Sequence, residues 1–143
     1  MRAGRFVLDT NVWISYFITN RHQRIIEIID FYEIAVFSCD ELLDEFAEVL
    51  EYDHLRKYKV NIPKAVKLIR EITTHFMLAY PIKNYIPEDP DDNYIVALAL
   101  QTNAGFVTSG DAHILSQKEN LEARYRKLKI INKSEFEAMF PLP

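Results

Sequence analysis

Short apolar runs that each stop at a polar residue, separated by longer stretches of helical period, most narrow what this chain can fold into. Arg5-Phe6-Val7-Leu8 ends at Asp9, and Glu33-Ile34-Ala35-Val36-Phe37 ends at Ser38. Gly105-Phe106-Val107-Thr108 runs into Ser109 and Asp111, and Leu128-Lys129-Ile130-Ile131 comes last. Helical period fills the spaces between them, over roughly 12–31 in one or two pieces, 40–53, 63–79 and 91–103. Strands that alternate with helices predict an α/β fold on a parallel sheet. The first two runs are continuously apolar, as strands buried on both faces require.

Local signals sharpen some boundaries. Ser38-Cys39-Asp40-Glu41 fits a capping box with Ser38 or Asp40 as the N-cap. In Asp89-Pro90-Asp91-Asp92 a capping Asp precedes a Pro at the first helical position. The segment 80–89, with Pro81 and Pro87, connects into that helix, and a last short helix starts at Ser134 and cannot extend through Pro141-Leu142-Pro143. A length of 143 residues fits one domain over 1–143, and a chain this long buries a core without staples. Cys39 is the only cysteine. An internal disulfide and a thiolate zinc site are therefore excluded, and a reducing, cytoplasmic setting is expected. The first strand follows the N-terminus too closely for a signal peptide, and no apolar run approaches the ~18 residues of a membrane span.

In an open parallel sheet, ligands bind outside the carboxyl ends of the strands, so the polar residues there are candidates for chemistry. Asp9 stands at the first such end in Asp9-Thr10-Asn11, Ser38 at the second, and Ser109-Gly110-Asp111 after the third. Glu45 and Asp92 reach the same edge from helices that begin there. On the 40–53 helix, at about 100° per residue, Leu42, Phe46, Val49 and Leu50 form an apolar arc. Glu45 lies at its border, whereas Asp44 and Glu48 point to solvent. A carboxylate so placed needs a cation or a donor, unless it snorkels into water. Asp92 shares a face with Ile95, Val96 and Ala99 and leans toward the sheet; Asp91 does not.

Each acid also has a purely structural reading. Asp89, Asp91 and Asp92 suit the first turn of a helix, Asp9-Thr10-Asn11 suits a turn, and Asp111 suits the N-cap of a helix over 112–117. Four carboxylates at one sheet edge, however, repel one another unless a divalent cation sits among them. An all-oxygen set suits Mg²⁺ or Mn²⁺, and such a cluster is what metal-assisted phosphodiester hydrolysis requires.

The ordered motifs resemble those of PIN-domain ribonucleases, in particular the VapC-like toxins of toxin–antitoxin pairs. They are Phe6-Val7-Leu8-Asp9-Thr10-Asn11-Val12, then Ser38-x-x-x-Leu42-x-x-Glu45-x-x-x-Val49-Leu50. Asp89-Pro90-Asp91-Asp92-Asn93-x-Ile95-x-Ala97-x-Ala99 and Val107-Thr108-Ser109-Gly110-Asp111 follow, within about 5–135. The resemblance implies a three-layer α/β/α sandwich on a short parallel sheet. It implies that Asp9, Glu45, Asp92 and Asp111 hold Mg²⁺ or Mn²⁺, with Asn11 and Ser109 as polar supports. It also implies an RNA substrate, a small antitoxin protein as partner, a homodimer, and attack of a metal-activated water in line on the scissile phosphate.

The chain departs from that pattern twice. Many relatives carry a further acid where this chain has His113, which leaves one-metal and two-metal chemistry both open; as a plain helix residue, His113 faces solvent. The formal net charge is −4 and no basic patch is concentrated, since Arg21, Arg24, Lys57, Lys59, Lys64 and Lys67 are spread over two regions. Proteins that grip nucleic acid are usually basic, although catalytic carboxylates neutralised by metal lessen that objection. A haloacid-dehalogenase-type phosphohydrolase would want a second Asp where Asn11 stands, and a receiver domain would want paired acids after its first strand. A PIN-like module that only binds RNA or protein is the alternative from another class; the four acids stand against it.

Overall fold

The computed structural model describes residues 4–143, so the first three residues of the expected domain lie outside the described residues. Five parallel strands form one sheet: β1 (Arg5–Leu8), β2 (Ala35–Ser38), β3 (Thr74–His75), β4 (Phe106–Thr108) and β5 (Lys129–Ile131), in the order β3-β2-β1-β4-β5. Phe6 lies between Val36 and Phe106, and Val7 between Phe37 and Val107. Consecutive strand residues point to opposite faces. Phe6, Val7 and Leu8 are all fully buried, so helices cover both sides, and the chain has the α/β architecture read from the alternation.

The helices are α1 (Thr10–Ile18), α2 (His22–Tyr32), α3 (Asp40–Leu50), α4 (Asp53–Arg56), α5 (Ile62–Ile72), α6 (Asn93–Gln101), α7 (Ala112–Ser116), α8 (Lys118–Arg124) and α9 (Lys133–Met139). The chain moves outward from β1 through β2 to β3, then returns past β1 to β4 and β5. Right-handed crossovers in two opposite directions place α1–α5 on one face and α6–α8 on the other. The two directions part between β1 and β4, where a crevice opens at the carboxyl ends.

Most helical spans read from the sequence are present with shifted ends. The 12–31 stretch is two helices, separated at Asn20, whose φ of 55° breaks the helical path. The helix expected over 63–79 stops at Ile72 instead. Ile72-Thr73-Thr74 is a β-branched run that resists helix, and Thr74–His75 adds β3 beside β2. A helix start at Ser134 moves back to Lys133, because Asn132 and Glu135 form a capping box. The expected helix at 112–117 is the short α7, and α8 after it was not anticipated.

The capping box at Ser38 does not form. Cys39 is the N-cap position of α3 and makes no side-chain capping bond. Ser38 Oγ pairs with Thr73 Oγ1 at 2.7 Å, while the Asp40 carboxylate meets Arg70 at 3.1 Å and His75 at 2.9 Å. Asp89 precedes a 3-10 turn over Pro90–Asp92, but its side chain caps nothing. Both carboxylates found partners elsewhere in the fold.

One core joins the layers. Trp13, Tyr16, Phe6, Phe46 and Phe136 are fully buried, and each of the three phenylalanines contributes ~1.5–3 kcal/mol through removal of apolar area from water. Phe6 stacks on Phe106 at 4.8 Å and meets the edges of Phe136 and Phe140 at 5.4 Å. The α9 helix thus closes over β1 beside α1, where the Tyr16 hydroxyl donates to Glu137 at 2.7 Å. No helix among the described residues is long and apolar enough to cross a membrane.

Candidate metal centre

Asp9 stands one residue past β1, at the point where the crossovers part. It is the N-cap of α1, with Oδ1 accepting from the Thr10 amide at 2.7 Å. Its other oxygen, Oδ2, accepts from Ser109 Oγ at 2.7 Å and from Asn11 Nδ2 at 3.2 Å. Asn11 Oδ1 in turn accepts from the Gly110 amide at 3.0 Å, which ties the end of β1 to the end of β4. Burial pushes the Asp9 carboxyl up to about 6. Its hydrogen bonds from Ser109 and Thr10 oppose the shift, and the nearby Glu45 and Asp111 add to it.

Glu45 sits half-buried on α3, between exposed Asp44 and Glu48 on one side and the buried Phe46 on the other. The Tyr94 hydroxyl fixes it, donating to Oε1 at 2.8 Å while also bonding Thr10 Oγ1 at 3.0 Å. Burial and the Glu45 charge drive the Tyr94 pKa far upward, so the phenol stays protonated and remains a donor. Sequence reading did not find Tyr94. Its only signal is a Tyr one residue before the buried Ile95 face.

Asp92 is the most revealing side chain. It is 6% exposed, its carboxylate caps no amide of α6, and Oδ2 is buried without any hydrogen-bond partner. Burial, then repulsion from Asp9, Asp111 and Asp89, holds its carboxyl well above the usual carboxylate range. One ligand atom from each of Asp9, Glu45 and Asp92 lies within 4.8 Å of the others. An orphaned buried oxygen beside two further carboxylates fits a hard divalent cation. The first-turn capping reading of Asp92 does not hold.

Asp111 lines the same cleft but lies outside that tight trio. It caps α7, accepting from the amides of His113 at 2.7 Å and Ile114 at 3.3 Å, so its structural reading is realised. A second group gathers there: ligand atoms of Asp89, Asp111 and His113 also lie within 4.8 Å of one another. The half-exposed His113 places Nδ1 3.4 Å from Asp89 Oδ2 and 3.8 Å from Asp111 Oδ1. Asp89 was read from sequence only as a cap. Asp9, Glu45, Asp89, Asp91, Asp92 and Asp111 all line one cleft of about 410 Å³. A larger cavity of about 610 Å³ lies away from these acids and includes Lys59 and Lys64 in its lining.

Comparison with known proteins adds to this geometry. A family model described as a PIN domain matches residues 5–113. No curated protein matches the chain. Twelve solved chains do. One is in the crystal structure of VapBC2 from Rickettsia felis bound to a DNA fragment from their promoter. That match has a TM-score of 0.54 and 12% identity, and covers 90% of this chain and 98% of that one.

Proposed function

The chain belongs to the PIN domain family, and on that premise we propose that it is a divalent-metal-dependent ribonuclease acting as the toxin of a toxin–antitoxin pair. Asp92 carries the reading: a buried, uncapped carboxylate with an unpartnered oxygen, set against Asp9 and Glu45, lacks a compensating positive charge. A cation bound among these groups would acidify a coordinated water and offset charge building on a phosphate. The oxygen donors suit Mg²⁺ or Mn²⁺.

The chain's own residues prepare the site for that role. Ser109, Asn11 and the Thr10 amide hold the Asp9 carboxylate in one orientation, and Tyr94 does the same for Glu45. Asp111 and Asp89 add charge to the same cleft, with His113 as a nitrogen donor beside them. Single-stranded RNA is the proposed substrate. The fold shared with a chain of a VapBC2 structure supports a small antitoxin partner; a homodimeric state and a cytoplasmic location belong to the proposal and follow from the toxin reading alone.

The decisive experiment incubates purified protein with structured and unstructured RNAs and with single-stranded DNA, in Mg²⁺, Mn²⁺ or EDTA. We expect RNA cleavage in either metal, none in EDTA, and none with Asp92→Asn. Cleavage that persists in EDTA or in the variant would remove the metal-cluster reading, and sedimentation of the protein tests the dimer.

A further inference from the structure

A strand of RNA entering the acidic cleft meets six carboxylates, so some cation outside the metal site must draw its phosphates in. Lys133 occupies the right place. It opens α9 two residues past β5, and the Ile131 carbonyl at that strand end accepts from the Ser109 amide at 3.0 Å. Lys133 therefore shares the carboxyl edge of the sheet with Asp9 and Asp111. Its ammonium donates to Ser15 Oγ at 3.0 Å and lies 4.3 Å from the centre of the Tyr16 ring.

Among the described residues the ammonium of Lys133 has no carboxylate within ion-pair distance. Glu137, one turn further along α9, is engaged by Arg24 Nε at 3.3 Å and by the Tyr16 hydroxyl at 2.7 Å. Burial lowers the Lys133 pKa, with the Arg21 and Arg24 charges adding to the effect against the pull of Glu137. Beside the ammonium is a notch of about 300 Å³ lined by Asn11, Val12, Ser15, Gly110 and Lys133, none of them acidic. Asn11 also lines the acidic cleft, so one side chain forms the wall between an anionic site and a cationic one.

We propose that this notch is a phosphate subsite, in which Lys133 holds the phosphate next to the scissile one on a single RNA strand. The inference rests on the ribonuclease reading and adds a positioning residue to it. Phosphate contacts of this kind fix register without reading sequence. Neutralising one phosphate also releases counterion, which makes binding salt-dependent.

The test measures binding of a fluorescent single-stranded RNA to Asp92→Asn protein in EDTA across a salt series, beside KM and kcat of the cleaving enzyme. Lys133→Ala is expected to weaken binding about tenfold for every sequence, to lower the salt slope by about 1, and to act on KM more than kcat. Lys133→Arg restores most of the affinity. Ser15→Asp, which supplies a carboxylate to the ammonium, mimics the loss while leaving Lys133 in place and so guards against a folding artefact. If wild type cleaves RNA while Lys133→Ala and Ser15→Asp keep wild-type affinity, slope and KM, the subsite is wrong and the ribonuclease reading stands. If RNA binds through Lys133 but no metal supports cleavage, the ribonuclease reading falls, the place of the subsite beside a scissile phosphate falls with it, and only a phosphate contact at Lys133 is left. Protein that neither binds nor cleaves RNA overturns both.

Discussion

At the scale of single residues, the cleft holds its acids at a cost in stability. Asp9 and Asp92 are both buried with raised pKa values, so the metal-free fold prefers them protonated. The Asp9 shift to about 6 means the fold retains its full stability below pH ~4 and loses it as pH rises through about 6. The size of that loss is about 3 kcal/mol for Asp9 alone. Thermal unfolding in EDTA should therefore show Tm falling between pH 4 and 7, and saturating Mn²⁺ should flatten the slope. Asp92→Asn should act in opposite directions on the two properties. It removes cleavage, yet in EDTA at neutral pH it stabilises the fold by about 1–3 kcal/mol, because an amide is buried there without the proton uptake that the carboxyl requires on folding. A lower Tm for the variant under those conditions would contradict the burial account. Sequence reading reached Asp92 through its shared face with Ile95 and Val96. That its carboxylate caps nothing was beyond reach, since capping depends on where the 3-10 turn ends.

Whole elements position these residues, and their hydrogen bonds are separable from the chemistry. Tyr94 on α6 ties Glu45 of α3 to Thr10 of α1, three helices meeting at one hydroxyl. Tyr94→Phe should cost about 1–2 kcal/mol in urea unfolding, because the Thr10 hydroxyl is left buried and short of a partner. It should also slow cleavage by letting Glu45 wander. On α9, Asn132→Ala removes the cap that accepts from the Glu135 amide at 2.8 Å. The expected cost is about 1 kcal/mol. Since Lys133 opens this helix, RNA affinity should fall in parallel. The helix at 63–79 shows where sequence period misleads. The apolar spacing continues past Ile72, but the open edge of β2 offers Thr74–His75 a ladder, and pairing wins.

Across the whole molecule, charge is sorted more sharply than composition indicates. A chain of net charge −4 concentrates acids in one cleft and leaves the notch at Lys133 and the cavity at Lys59 and Lys64 without any. That sorting answers the objection raised by the low overall charge: substrate steering depends on local fields. A cation that binds the folded cleft stabilises the fold by mass action, about 2.7 kcal/mol at a hundredfold excess over Kd. Titrating Mn²⁺ should raise Tm progressively in wild type and barely at all in Asp9→Asn. Equal shifts in the two proteins would place the binding elsewhere.

The sequence by itself determined the α/β class, the strands at Arg5–Leu8 and Phe106–Thr108, and the acids that stand at the strand ends. These follow from local properties: apolar period, strand length and the residue types that close each run. Strand order was not legible, because pairing joins residues far apart in the chain and no local pattern specifies it. That order places Asp9 beside Ser109 and opens the crevice between β1 and β4. Tertiary structure alone also divided the acids into a tight trio and a separate group with His113, and it set Lys133 against Ser15 across 118 positions of sequence. Repulsion and desolvation depend on distances between side chains, and only the packed fold sets those distances.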